Sequence, residues 1–161
     1  MDRCFVPEMS EEEVDSLIDD NTRLIFGETI ANPALKIFDI EKYAKIAHKH
    51  GIPLVVDNTF ATPILCRPFD FGADIVVHST TKYMDGHATS VGGVVVDGGR
   101  FDWENGKFPE LCEPDESYHG LRYTESFGAA AYITVTAEVT TYDAEGNATT
   151  TVQPVAGVTV A

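Results

Sequence analysis

The chain has 161 residues, 26 of them acidic and 11 basic, for a net charge of -15 with histidine neutral. That balance speaks against nucleic acid as a partner, because a binder must present lysine and arginine to phosphates. No apolar run is long enough to cross a bilayer, and "MDRCFVPEMSEEEVD" lacks a secretory pattern, so the expectation is a cytoplasmic protein with no membrane partner.

The segment "MSEEEVDSLIDDNT" predicts a short helix capped by Ser10, with Glu13 three residues on as a capping box requires. Val14, Leu17 and Ile18 would share its apolar face. "RLIFGET" reads as a buried strand, and Asn32-Pro33 breaks the chain. "DIEKYAKIAHKHG" is the clearest helix, with Asp39 as cap and Ile40, Tyr43, Ala44 and Ala47 on one face. His48, Lys49 and His50 fall in its last turn, where positive charge suits the helix dipole, and Gly51 stops it.

"IPLVVD", "ADIVVHS" and "SVGGVVVD" follow as strands with apolar residues on both faces, the pattern of a parallel sheet. The rhythm is that of an α/β layered domain, whose ligands bind beyond the carboxyl ends of the strands. Glu28, Asp57 and the pair His78-Ser79 stand at such ends. From residue 134 onward lysine and arginine vanish, and threonine and valine recur around the turn-like "DAEGN". This predicts a β-hairpin tail over 134–161 that does not continue the α/β rhythm.

Lys82 stands out in "HSTTKYMDGHATSVGG". A lysine amine can join a carbonyl as a Schiff base, and pyridoxal phosphate is the common biological case. Ser79 and Thr81 offer hydroxyls suited to phosphate oxygens. Asp57 offers a carboxylate for a pyridine nitrogen, and Asn32 a donor for a phenolate oxygen. The glycines of "ATSVGG" let backbone come close. The same residues also read as a surface lysine, a capping aspartate and a turn asparagine. His78 reads as structural. His87 follows the lysine loop, His119 has no derivable role, and Trp103 reads as packing. Cys4, Cys66 and Cys112 suggest neither a disulfide framework nor a metal site, since no histidine, cysteine and carboxylate share metal-ligand spacing. Cys66 has no base placed to make it a nucleophile.

"ETIANP", "VVDNTFATP", "HSTTKY" and "FDWENGKFPELCEPDESYHGLRYTESFG" together resemble the Cys/Met-metabolism (transsulfuration) family of pyridoxal-phosphate enzymes, over roughly residues 20 to 133. The last segment is most similar to the O-acetylhomoserine sulfhydrylase branch. The resemblance implies the aspartate-aminotransferase-like fold (fold type I), with residues 1–133 as part of its large cofactor domain. It implies that Lys82 is the Schiff-base lysine, Asp57 the partner of the pyridine nitrogen, Ser79 and Thr81 the hydroxyls near the phosphate, and Asn32 the asparagine at the phenolate oxygen. Glu28 belongs to the same family turn. The implied cofactor is pyridoxal 5'-phosphate, the implied partner a small amino-acid substrate, and the implied reaction a γ-replacement giving homocysteine or methionine. Family members are homotetramers longer than this chain, which resembles their middle portion. Two alternatives stay open: a sister γ-lyase or γ-synthase reaction, and an inactive fragment serving as an interaction module.

Overall fold

The computed structural model describes residues 9–134, 138–142 and 148–152. The chain divides into two compact units, residues 1–96 and 97–161.

In the first unit, α1 spans Glu11–Leu17. Ser10 accepts from the Glu13 N–H, and the Glu13 carboxylate accepts from the Ser10 N–H, closing the expected capping box. Val14 is its buried residue, and Ile18 packs on the core from just past the helix end. Leu17 is 42% exposed and does not join that face. A helix of 7 residues has too few turns to lay a full stripe on its neighbour.

The helix α2, Ile40–Lys49, forms as predicted. Asp39 accepts from the Lys42 N–H at 3.0 Å, and Gly51 turns the chain with φ 65°. Ile40, Tyr43, Ala44, Ile46 and Ala47 are buried against the sheet, and each large apolar side chain so placed contributes about 2 kcal/mol. The two histidines of its last turn are paired with acids. His48 Nε2 lies 2.9 Å from the buried Asp74 carboxylate, and His50 Nε2 lies 2.7 Å from Asp15 on α1. Lys49 Nζ donates to the same Asp15 at 2.8 Å, so one carboxylate ties α1 to the end of α2.

The sheet has strand order β1 (Ile25–Glu28), β2 (Leu54–Asp57), β3 (Ile75–Ser79), β4 (Gly93–Asp97). β1 pairs with β2 and β2 with β3, both parallel. Leu54, Val56 and Val76 are fully or almost fully buried in one core with α2. A short helix α3, Thr62–Leu65, lies on the connection from β2 to β3. Two strand expectations need correction. β1 is not a buried strand, because Phe26 is 54% exposed. β1 ends the strand order, so among the described residues it has one neighbouring strand, and α2 covers one of its faces. On that covered face the Phe38 ring, stacked on Tyr43 at 4.5 Å, presses so close to Gly27 that a Cβ there would meet it at 2.5 Å. β4 is likewise one-sided: Val94 and Val96 are half-buried while Val95 is 50% exposed.

In the second unit, Trp103 is buried as expected for a packing residue. It stacks on Tyr132 at 5.0 Å and meets Phe101 and Phe108 edge-on. Three short helices follow, α4 Pro109–Cys112, α5 Tyr123–Phe127 and α6 Ala131–Thr134. Strands β5 (Glu138–Tyr142) and β6 (Ala148–Val152) pair antiparallel, Tyr142 opposite Ala148. The "DAEGN" turn and Cys4 lie outside the described residues.

Candidate functional site

The parallel ladder sets the first part of the site. Register pairs Glu28 with Asp57, and Asp57 with Val77, so the acids end their strands side by side. Two residues after Val77, β3 ends at Ser79. Three of the residues singled out from the sequence, Glu28, Asp57 and Ser79, therefore share the carboxyl ends of adjacent strands, where α/β sheets bind ligands.

Local hydrogen bonds fix how these ends sit. Asp57 Oδ1 accepts from the Thr59 N–H at 2.9 Å, a tight turn that reins in the carboxylate. Thr59 Oγ1 in turn accepts from the Ser79 N–H at 2.8 Å. Thr59 thus joins the Asp57 turn to the start of the lysine segment. Asp57 and Ser79 are half-buried, and no hydrogen bond of the Ser79 hydroxyl is found among the described residues.

Lys82 lies in a wide helical turn, Thr80–Met84, which breaks at the lysine itself (φ -90°, ψ -123°). The turn is closed by backbone bonds from Asp85 N–H to Thr80 O at 2.9 Å and from Gly86 N–H to Lys82 O at 3.1 Å. Asp85 secures the following loop by accepting from the Thr89 N–H at 2.9 Å, and that bond holds its carboxyl below the usual range. Lys82 is exposed. Tyr83 meets Phe60 edge-on at 5.8 Å, which sets the lysine turn against the loop after Asp57.

The glycines after the lysine allow the close approach expected of them. A Cβ on Gly92 would meet Thr80 Oγ1 at 2.7 Å, and Thr80 N–H donates to Gly92 O at 3.0 Å. Thr81 is less available than its sequence position suggests. Its hydroxyl accepts from Gly92 N–H at 3.0 Å and directs its single proton at Gly92 O, 3.3 Å away. Asn32 lies on the exposed loop after β1, and its peptide bond to Pro33 is cis. Its N–H donates to Glu28 Oε2 at 3.1 Å, which links it to the strand ends through the backbone and leaves its side chain in solvent.

One buried row joins two residues the sequence reading does not single out, Thr29 and Asn58, to His78, which it reads as structural. Thr29, Asn58 and His78 are 6%, 0% and 5% exposed and follow Glu28, Asp57 and Val77. Thr29 Oγ1 donates to Asn58 Oδ1 at 2.8 Å, and Asn58 Nδ2 donates to Cys66 O at 2.8 Å. His78 Nδ1 has no hydrogen-bond partner among the described residues. Burial holds His78 below the ordinary histidine value, offset in part by the Asn58 backbone and the Asp57 charge. The available signal was "VVDNTF" itself, since Asn and Thr just after a strand are turn-forming residues. Burial and the Asp70 charge push the Cys66 thiol up, as suits an inert cysteine. Among the described residues no helix is long and apolar enough to cross a membrane.

Known proteins match both sequence and fold. Over 133 residues the chain is 53% identical to a sulfhydrylase of Fusarium oxysporum f. sp. lycopersici, covering 81% of this chain and 31% of that protein. It is 49% identical over 124 residues to the O-acetyl-L-homoserine sulfhydrylase of Leptospira meyeri, covering 77% and 28%. It is 48% identical over 132 residues to the homocysteine/cysteine synthase of Saccharomyces cerevisiae, covering 80% and 30%. The chain thus spans less than a third of each. A solved structure of an O-acetylhomoserine (thiol)-lyase from Campylobacter jejuni, which holds a pyridoxyl-lysine phosphate, superposes with a TM-score of 0.70 at 38% identity. That match covers 78% of this chain and 33% of the other. A cystathionine gamma-lyase from Lactobacillus plantarum superposes at 0.53 with 42% identity, over 55% of this chain and 23% of that one. These structures carry the α/β large-domain fold expected from the sequence. Residues 1–132 match the family described as Cys/Met metabolism PLP-dependent enzyme, so the match extends further towards the N-terminus than the sequence motifs reach, and the chain belongs to that family.

Proposed function

We propose that this chain carries the cofactor-holding segment of a sulfhydrylase that replaces the acetate of O-acetylhomoserine with sulfide or a thiol. The observation that carries the reading is that a carboxylate and a hydroxyl end adjacent parallel strands and that an exposed lysine follows on the next turn. Lys82 is exposed on its broken turn, Asp57 uses one carboxylate oxygen on Thr59, and Ser79 keeps its hydroxyl free of protein partners among the described residues. This donor set fits pyridoxal phosphate, which needs an amine for its aldehyde, an acid for its ring nitrogen and donors for its phosphate.

Lys82 would hold the cofactor covalently, Asp57 would stand at its ring nitrogen, and Ser79 would donate to its phosphate. Thr81 is the weaker phosphate donor, because its proton is aimed at Gly92 O. Asn32 would reach the phenolate oxygen only by turning its side chain in from the loop beyond Glu28. The bound cofactor supplies an electron sink for the amino acid's carbon skeleton. Lys82 Nζ, where it is not holding the cofactor, would carry protons as base and acid. Acetate leaves Cγ, and the sulfur adds there. Preorganised donors supply most of such an enzyme's rate, so turnover depends more than cofactor capture on the groups that position the substrate.

The cystathionine gamma-lyase likeness supports an elimination as the second reading. The test is direct. The full chain is incubated with pyridoxal phosphate, reduced with borohydride and mapped by mass spectrometry. A parallel sample receives O-acetyl-L-homoserine and sulfide and is analysed for homocysteine. Labelling concentrated on Lys82 and lost in Asp57→Ala is the expected result. Adducts scattered over surface lysines would overturn the cofactor reading, and 2-oxobutyrate in place of homocysteine would favour the elimination.

A further inference from the structure

We propose that Asn58 is a positioning residue that aims the Asp57 carboxylate, an inference that rests on the cofactor reading above. Asn58 is completely buried, and a buried amide is costly unless its polar groups are paired. Its backbone and side chain are used in four directions. Its N–H donates to Val77 O at 2.9 Å on β3. Its carbonyl accepts from the Thr62 N–H at 2.9 Å. Its Oδ1 accepts from Thr29 Oγ1, and its Nδ2 donates to Cys66 O, both at 2.8 Å.

Two of these partners, Thr29 and Val77, also flank Asp57. The Thr29 N–H donates to Asp57 O at 2.9 Å, so Thr29 grips the aspartate by its carbonyl and the asparagine by its amide. The aspartate's carboxylate is held by the Thr59 N–H, and Thr59 also takes the Ser79 N–H. The orientation of Asp57 relative to the lysine segment therefore depends on both clamps. Asn58 also pins the segment from Thr62 to Cys66 at both ends. Thr62 has φ 58°, an uncommon value for a β-branched residue that persists only where the surroundings over-determine it. An apolar side chain of similar size would fill the same space without needing the two side-chain partners. The amide is placed to fix direction, and the direction it fixes is that of Asp57.

The discriminating variants are at Thr29, which is 6% exposed and touches no part of the cofactor in this reading. Thr29→Val keeps the volume and removes the hydroxyl. Thr29→Ser keeps the hydroxyl and removes a methyl. Each full-length variant, with Asn58→Asp, is titrated with pyridoxal phosphate while absorbance is recorded. Each is also reduced and mapped at Lys82, and its folded fraction is followed by circular dichroism. The expected result is about tenfold weaker cofactor binding and a shifted absorbance band in Thr29→Val and Asn58→Asp, with Thr29→Ser like the parent. Binding and spectrum unchanged in Thr29→Val, or Thr29→Ser impaired more than Thr29→Val, would overturn the inference alone, since packing would then be all that matters. A parent chain that does not label at Lys82 overturns the cofactor reading and the inference together.

Discussion

The α2 side of the sheet and the rim of its strand ends are built on different terms. On the α2 side, Leu54, Val56 and Val76 pack against Ala44, Ile46 and Ala47 with almost no exposure. On the rim, Lys82, Glu28 and Asn32 are exposed, and order comes from short hydrogen-bonded turns at Asp57, Thr59 and Asp85. The core is held by area, which tolerates no loss of volume. The rim is held by direction, which leaves the Lys82 amine exposed on the surface with little apolar support. Stability and chemistry should therefore come apart under mutation.

The largest effect that would test this is at Leu54. Leu54→Ala removes a fully buried side chain and should cost about 3 kcal/mol in denaturant unfolding. Lys82→Ala, by contrast, should leave stability within about 0.5 kcal/mol while removing the borohydride adduct. A lysine variant as damaging as the leucine one would mean that the rim is part of the core, and the contrast would fail.

Much of the core side was legible in the sequence because its signals are local. Asp39, the period of Ile40, Tyr43, Ala44 and Ala47, and Gly51 define α2 before any contact is known. The runs "LVV" and "IVV" identify strands covered on both faces. Phe26 and Val95 depart from the sequence expectation because exposure depends on which neighbour covers a strand, and among the described residues β1 has a strand on one side only. At the rim, the residue types of Lys82, Asp57 and Ser79 suggest the chemistry proposed for them. Asn58 and Thr59 do not, since their partners are 29 and 20 residues away in sequence and become neighbours only through the parallel register. Thr81 looked equivalent to Ser79, and only the return of Gly92 to the lysine turn distinguishes them.

A middle-sized effect lies where a polar group serves the core. Asp74 is buried and accepts from the Leu54 N–H at 2.8 Å as well as from His48. Asp74→Ala strands that buried N–H and should cost about 2 kcal/mol, whereas Asp74→Asn, which keeps an acceptor, should cost less. Equal losses in the two variants would assign the effect to charge, and would place His48 ahead of the backbone as the partner that matters.

The smallest effect sits on the border between the two regions. His78 is buried on the sheet one residue before Ser79, and burial makes its imidazole harder to protonate than in the unfolded chain. As pH falls through the ordinary histidine range, the unfolded chain takes up a proton that the folded chain refuses. Unfolding is thereby favoured, and stability should decline on the acid side until the folded imidazole also titrates. Denaturant midpoints of the parent and of His78→Gln, compared at pH 7.5 and 5.5, isolate this contribution from that of the other histidines. The parent should lose more stability on acidification than the variant. Equal losses would mean that this imidazole titrates as freely as one in solvent, and that the rim reaches one residue deeper into the sheet than its burial suggests.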